Sequence, residues 1–191
     1  MMKKLVGMVL ALVLATGMTG IGTLAYFTDA GVSSSNQLLA GTLDLKTGDV
    51  DGVSRTLYAT AMSPGDTAGP AVITLKNAGT TSGASLDIVF SYAESDGSPN
   101  SVNKIADELA AMMEVMTLSY GVPSLLGSIG DVNINGYKDV YDLKNSIFTG
   151  LTGIAAGASQ DFVISVRLRG ETPNDFQADG IVITMTFTLK Q

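Results

Sequence analysis

The sequence of 191 residues contains no histidine and no cysteine. Zinc hydrolases hold their metal with imidazole nitrogens or thiolates, so the usual ligands of that class are missing. The same absence excludes a nucleophile that is activated by histidine, as in Ser-His-Asp and Cys-His sites. Without cysteine there is no disulfide, so an exported domain must depend on its core, on a metal ion or on assembly. We therefore expect that the protein is not an enzyme.

Basic residues are scarce as well. The chain has 11 lysines and arginines against 18 aspartates and glutamates, and its net charge is −7. A surface with this charge repels nucleic acid and anionic membranes. We expect neither of them as a partner.

The apolar N-terminus lacks the length of a membrane-spanning helix. Two lysines precede an apolar stretch over residues 5–14, which is shorter than the ~20 residues that a span needs. Small residues then lie three and one positions before the bond between Ala25 and Tyr26. This order is typical of a secretory signal peptide at residues 1–25, cut by a signal peptidase after Ala25. The alternative is a retained membrane anchor.

Cleavage leaves 166 residues with a net charge of −9, because the removed segment carries two lysines and no acidic residue. This length is sufficient for one domain with a sizeable core. We expect a secreted protein, extracellular or at the cell surface, with no membrane contact after cleavage. We divide it into an N-terminal segment at residues 26–40 and a folded domain at residues 41–191.

The folded domain has the pattern of a β-protein. Apolar and polar residues alternate in short segments that end at turn residues, which is typical of half-buried strands. The predicted strands lie at residues 42–46, 56–61, 71–76, 86–92, 115–120, 162–168 and 181–189. Amphipathic helices are predicted at residues 102–113 and 137–147. Seven or eight strands indicate a jelly-roll-like antiparallel β-sandwich with short helical insertions.

One segment matches the spacing of a twelve-residue calcium loop. Oxygen-bearing side chains occupy positions 1, 3, 5, 9 and 12, a glycine occupies position 6, and the residue at position 7 offers its carbonyl. In chain order the candidate ligands are Asp131, Asn133, Asn135, Tyr137, Asp139 and Asp142. The alternative is a polar turn that caps the following helix, with Asp139 and Asp142 on its solvated face.

The segment at residues 26–39 has an unusual composition for a polar tail. It begins with two aromatic residues, and Asp29 carries its only charge. An extended segment of this kind can add as a strand to the open edge of a neighbouring sheet. The residues that we expect in this contact are Tyr26, Phe27, Thr28, Val32, Leu38 and Leu39. The alternative is that the segment packs on its own domain or has no fixed structure.

Several short motifs occur in order along nearly the whole chain. GTLAYFTD spans the predicted cleavage site, LLAGTLDL follows it, and SPGD precedes ITLKNAGT. Later, TLSYG precedes YKDVYDL, and NDFQADG precedes the last alternating strand. In this order the motifs resemble the TasA/camelysin family of exported fibre proteins from Gram-positive biofilms, whose relatives include archaeal bundling-pilus subunits.

The resemblance implies a jelly-roll domain, export through a dedicated signal peptidase, and polymerisation into extracellular filaments. In such filaments the mature N-terminus of one subunit adds a strand to the next. Camelysin-type members are also described as metalloproteases, which conflicts with the absence of histidine from this sequence.

Three functions remain in competition. The first is a structural subunit of a biofilm-matrix fibre or bundling pilus, which is built head to tail from identical subunits and requires no cofactor. The second is a monomeric cell-surface β-sandwich module that binds calcium. The third is a type IV-like pilin that keeps its apolar N-terminus, and it is disfavoured because no lysine or arginine directly precedes a glycine ahead of the apolar run.

Overall fold

The computed structural model describes residues 42–47, 50–51, 54–96, 104–176 and 178–191 of the chain. These residues contain nine strands: β1 (Leu45–Thr47), β2 (Val50–Asp51), β3 (Ser54–Ala59), β4 (Thr67–Asn77), β5 (Ser85–Glu94), β6 (Met113–Tyr120), β7 (Phe148–Thr152), β8 (Ser159–Leu168) and β9 (Ile181–Lys190). Five strands form one sheet in the order β2-β1-β4-β8-β6, and four form the other in the order β3-β9-β5-β7. Every pairing between these strands is antiparallel.

Short helices interrupt the strand order. Helix α1 (Ala106–Ala110) lies between β5 and β6, and helix α2 (Val140–Asn145) lies between β6 and β7. Single turns of 3-10 helix occur at Leu126–Ser128 and Asn174–Phe176. Within the described ranges, no helix has both the length and the apolar character to cross a membrane.

The two sheets enclose an apolar core. In β9 every second side chain is buried and the intervening ones are half-buried, which confirms the alternation predicted from the sequence. Phe187 is fully buried, and its ring meets the edge of the Phe162 ring from β8 with the two centroids 5.2 Å apart. The strands from β3 to β9 alternate between the sheets along the chain. The predicted fold class, a jelly-roll-like antiparallel sandwich with short helical insertions, is confirmed.

The strands define two ends of the sandwich. The upper end contains the turn between β4 and β5 at residues 78–84, and Leu45 at the start of β1 lies opposite Asn77 there. The lower end contains the turn between β3 and β4 at residues 60–66 and the connection between β8 and β9 at residues 169–180. Strand β4 has 11 residues, so at ~3.4 Å per residue it spans about 35 Å between the two ends.

Two predicted helices are shorter than expected. The helix predicted at residues 102–113 is confined to Ala106–Ala110, because Met113 pairs with Leu168 as the first residue of β6. Residues 102 and 103 of that prediction lie outside the described part of the chain. The helix predicted at residues 137–147 begins only at Val140, after the polar loop closes on its own side chains.

Strand bounds also differ from the predictions, and two strands were not predicted. Strand β4 begins at Thr67, because its ladder with β8 continues past Pro70 with a shift of register between Ala68 and Ala71. Proline removes one backbone donor, so a strand that contains it is hard to predict. Strand β2 has two residues, and β7 carries a central glycine, Gly150, so neither has the alternation that marks a strand.

Candidate functional site

The chain enters the described domain at its upper end. The amide of Thr42 donates to the Thr80 hydroxyl at 3.1 Å, and the Thr42 carbonyl accepts from the Thr80 amide at 2.9 Å. Gly79 packs so closely here that a Cβ atom would lie 2.0 Å from the Thr42 carbonyl oxygen. Only glycine fits this approach, and Thr42 is therefore anchored at the upper end.

Asn77 holds this end together from inside. Its side chain is fully buried, and its amide nitrogen donates to the carbonyls of Thr81 at 2.8 Å and Ile154 at 2.9 Å. Its amide oxygen accepts from the Gly79 backbone at 3.0 Å. Because each polar atom of this buried amide has a partner, the turn that receives Thr42 is held in one conformation.

Strand β4 is paired along only part of one edge. On the side of β8 it is paired over nearly its whole length, from Thr67 to Lys76. On its other side β1 covers only residues 75–77, so in the described part of the chain residues 67–74 have no strand partner there. An uncovered strand edge presents backbone N–H and C=O groups to another chain. Among the described residues, the position beside this part of β4 in the five-stranded sheet is therefore vacant.

The opposite edge of the same sheet is better protected. Along β6, the amide of Leu125 donates to the Leu118 carbonyl at 2.8 Å, and the amide of Val115 donates to the Lys138 carbonyl at 2.8 Å. The loops on either side of the first 3-10 turn thus cover both halves of β6. Natural sheets use such coverage to block strand addition, which leaves the β4 edge as the more accessible one.

The predicted calcium loop closes around its own side chains. Asp131 accepts from the amides of Asn135 at 3.0 Å and Gly136 at 2.9 Å. The side-chain amide nitrogens of Asn133 and Asn135 donate to the same carboxylate oxygen of Asp139, at 2.9 and 2.7 Å. The structure therefore brings Asp131, Asn133, Asn135 and Asp139 into one connected cluster.

Two carboxylates of this loop are fully buried. Asp139 is the N-cap of α2, where its side chain accepts from the Asp142 amide at 2.9 Å. Asp142 accepts in return from the Asp139 amide at 3.3 Å and from the Val132 amide at 2.7 Å. Burial is the main cause that raises the pKa of Asp139, and the negative charge of the nearby Asp142 carboxylate raises it further. The hydrogen bonds from Asn133 and Asn135 act in the opposite direction and lower this pKa, but they do not cancel the rise.

In the structure this loop caps helix α2, as in the alternative interpretation of the sequence, but two details differ. The cap is Asp139 rather than a residue next to Tyr137, and Asp139 and Asp142 are buried instead of lying on a solvated face. They are buried because the loop folds over the helix start and supplies donors to both. The Tyr137 side chain stacks on Arg169, with 4.1 Å between the guanidinium carbon and the ring centroid.

The predicted assembly residues lie outside the described part of the chain. They are Tyr26, Phe27, Thr28, Val32, Leu38 and Leu39, together with the cleavage position at Ala25. The structure adds the anchor at Thr42, which was not predicted. An open sheet edge was expected, but its position at β4 was not. The Asn77-Ala78-Gly79 sequence was interpreted only as a strand end, although its buried amide and close glycine mark the anchor.

A pocket at the lower end was also not predicted. It has a volume of about 470 Å³ and lies between the β3–β4 turn and the β8–β9 connection. The Ser63-Pro64-Gly65-Asp66 motif indicated a turn at this place, but no local pattern shows that a second segment more than a hundred residues later forms the facing wall.

The fold and the vacant edge define a β-sandwich domain whose five-stranded sheet is incompletely paired among the described residues. The sequence model of the peptidase M73 family, described as camelysin metallo-endopeptidase, matches residues 1–122. The chain therefore belongs to the camelysin family, which confirms the TasA/camelysin resemblance. No curated protein matches the sequence. Family membership supports assignment to secreted or cell-surface proteins related to biofilms.

The family description names a metallo-endopeptidase, but the residues of this chain do not fit a zinc centre. The sequence has no histidine and no cysteine, which are the nitrogen and sulfur ligands that zinc prefers. Within the described ranges, no group of three or more aspartates and glutamates is gathered closely enough to hold a metal ion. No catalytic step through a metal can be derived from these residues.

Proposed function

We propose that the protein is a structural subunit of an extracellular filament, assembled from identical subunits head to tail. Residues 26–39 of one subunit add as a strand to the vacant edge of β4 in the next. The observation that carries this proposal is that edge, where residues 67–74 have a strand partner only in β8 within the described part. A strand from a neighbour satisfies the exposed backbone groups and shields the sheet from water.

The direction of the strands supports this arrangement. Strand β1 runs from the upper end towards the lower end, and Thr42, the first described residue, lies at the upper end. If the lower end of the next subunit lies above it, the donated segment runs downwards in that neighbour. Strand β4 runs upwards, so the added strand is antiparallel to it, as every other pair in the sandwich is.

The composition of the segment fits a half-buried strand. The vacant edge has eight residues, and residues 31–38 supply the same number. At a period of two, Val32 and Leu38 share one face of that strand, with small polar residues between them. Asp29 lies outside this stretch, so no charge would have to be buried against the sheet.

The proposed contact also explains why a filament results. The donating surface at the upper end and the accepting edge are different surfaces of the same molecule. Such a heterologous contact does not close on itself and continues as a linear polymer. The segment is free to be donated only after a signal peptidase cuts between Ala25 and Tyr26, so we expect mass spectrometry of the secreted protein to find Tyr26 as its first residue.

A synthetic peptide of residues 26–39 tests strand addition directly. It should bind the chain that lacks residues 26–35, with a rise in β-sheet signal by circular dichroism, and it should block growth of filaments from the full mature chain. A peptide with the same composition in scrambled order is the control. Equal inhibition by the scrambled peptide, or none by either, would rule out addition of this segment.

We propose a non-catalytic role for this chain, in contrast to the activity in its family description. The chemistry of the sequence supports this, because it offers neither zinc ligands nor a histidine base. Incubation of the purified mature protein with casein, with and without added zinc, should release no peptides. Proteolysis that is lost on chelation and restored by zinc would contradict the proposal.

The second candidate function is a cell-surface module that binds calcium in the loop at residues 131–142. The observation that favours it is the pair of fully buried carboxylates, Asp139 and Asp142, which the loop encloses together with two asparagine side chains. Carboxylate and amide oxygens are the ligands that calcium prefers. Binding would require Asn133 and Asn135 to turn their amide oxygens, instead of their nitrogens, towards the centre.

Calcium titration decides between this function and a purely structural cap. A ligand that binds only the folded state raises the melting temperature by mass action. We expect a rise in millimolar calcium that is absent in Asp131→Ala, since this exposed residue holds the loop without capping α2. Magnesium is the control ion. An equal rise in the variant, or none in the wild type, would leave the loop with its capping role alone.

A further inference from the structure

The pocket at the lower end has uncharged walls of mixed polarity. Its apolar lining residues include Met62, Pro64, Leu168, Pro173 and Phe176, and no lining residue carries a charge. Its polar lining residues are Ser63, Thr172 and Asn174. Its volume of about 470 Å³ is within the range of ~300–1,000 Å³ that pockets for small ligands have. In a chain with 18 acidic residues, an uncharged concave surface of this size can accept an uncharged side chain.

One wall of the pocket is fixed by a network of backbone hydrogen bonds. The amide of Gly65 donates to the Leu168 carbonyl at 2.8 Å, and the amide of Leu168 donates to the Asp66 carbonyl at 2.9 Å. Within the turn, the Ser63 amide donates to the Asp66 carboxylate at 2.8 Å. These bonds tie the β3–β4 turn to the end of β8, so the pocket is formed before anything occupies it.

Strained backbone lies on both sides of the pocket. Ala61 has φ 54° and Ala178 has φ 72°, and both residues line it. In the described part of the chain only one other residue besides glycine, Ile134, has a positive φ. A residue with a side chain is unfavourable in this region, and such residues tend to cluster at binding sites. The strain is a second sign, independent of shape, that this surface is built for contact.

We propose that the pocket receives Leu39 of the neighbouring subunit. This inference rests on the filament function proposed above and names the contact that starts each junction. Thr42 is anchored at the upper end, and three extended residues reach only about 10 Å. When the upper end of one subunit meets the lower end of the next, the residues just before Thr42 are therefore the ones that meet the pocket.

The position of the pocket agrees with the path of the donated strand. Met62 and Pro64 belong to the turn that leads directly into β4, so the pocket lies at the start of the vacant edge. From there residues 31–38 run along residues 67–74, and residues 26–30 continue towards the upper end. Leu39 fills the pocket at the junction, and the rest of the segment completes the sheet.

The same geometry excludes the contact within one subunit. The pocket and Thr42 lie at opposite ends of β4, which spans about 35 Å. Leu39 is three residues from Thr42 and cannot bridge that distance. A covalent link between residue 39 and the pocket is therefore always a link between two subunits.

Paired cysteines test the contact, because the natural chain has none. In the mature chain with Leu39→Cys and Asn174→Cys, filaments treated with oxidised glutathione should give a ladder of disulfide-linked multimers on a non-reducing gel. Asn174 lines the pocket and is exposed. The matched control combines Leu39→Cys with Val89→Cys, whose position is exposed on β5, far from the pocket, and it should give no ladder.

A charge pair gives a second test that does not depend on cysteine. Met62→Asp should raise the critical concentration for filament growth at least tenfold, because the pocket would bury an unpaired carboxylate. Val89→Asp should leave it unchanged, and adding Leu39→Lys to Met62→Asp should restore growth. Filaments with no ladder and no effect of Met62→Asp would overturn the pocket contact while the filament function stands. Absence of filaments from the natural mature chain would overturn both.

Discussion

The substitution Phe187→Ala tests the core that holds the two sheets together. The Phe187 side chain is fully buried on the central strand β9, opposite Ile88, and packs edge-on against Phe162 at 5.2 Å between centroids. A buried phenylalanine removes about 150–250 Å² from water, which at ~25 cal/mol per Å² corresponds to about 4–6 kcal/mol. Measured changes of this kind cost roughly 3–5 kcal/mol, so we expect a loss of about 4 kcal/mol in the free energy of unfolding.

The neighbouring residue supplies the matched control. Thr186 points to the other face of β9, and its hydroxyl shares a hydrogen bond of 3.2 Å with Ser54. Thr186→Ala should therefore cost less than about 1 kcal/mol. Urea denaturation of the mature chain, below the concentration at which filaments form, measures both values. Equal costs for Phe187→Ala and Thr186→Ala would show that the two faces of β9 do not differ as described.

Three further predictions follow from single contacts. Gly79→Ala should cost about 1–3 kcal/mol of stability because its Cβ would collide with backbone, whereas Gly127→Ala, with no atom within 4 Å, should cost almost nothing; thermal melts of both variants measure this. The Tyr92 hydroxyl donates to Asp107 at 2.6 Å, and this hydrogen bond lowers the pKa of that carboxyl from its usual value. A lowered folded-state pKa adds stability that is lost as the pH falls, so Tyr92→Phe should lower the melting temperature more at pH 7 than at pH 2. Phe27→Asp should slow filament growth in a light-scattering assay without changing the melting temperature, and a parallel fall in both would contradict the assignment of this residue to assembly.

Local sequence patterns were sufficient for the strands that span the core. In β9 the alternation of apolar residues with threonines follows directly from a strand with one buried face, and the structure repeats it. The helix predicted at residues 102–113 is too long, because the helical spacing of apolar residues continues to Met113 in the sequence. In the structure Met113 pairs with Leu168 and belongs to β6. Pairing between distant strands overrides local propensity, and a single sequence does not reveal that pairing.

At the candidate site, the difference between what local sequence predicts and what only the folded chain shows is larger. The oxygen-bearing spacing of residues 131–142 predicted a compact polar loop, and the loop is compact, but the burial of Asp139 and Asp142 depends on how it folds over α2. The vacant edge of β4 is a property of which strands meet, because nothing in the sequence of residues 67–74 shows whether a second strand pairs with them. The pocket joins Met62 to Phe176 across more than a hundred residues, so only the folded chain brings its walls together.

The central claim is that residues 26–39 build the filament while the sandwich folds without them. Electron microscopy of two purified proteins, the mature chain from Tyr26 and the same chain without residues 26–35, tests this claim most directly. We expect filaments from the first protein. From the second we expect only folded monomers with an unchanged β-sheet circular dichroism spectrum. Filaments of normal morphology from the shortened chain would contradict strand donation and assign the assembly to another surface.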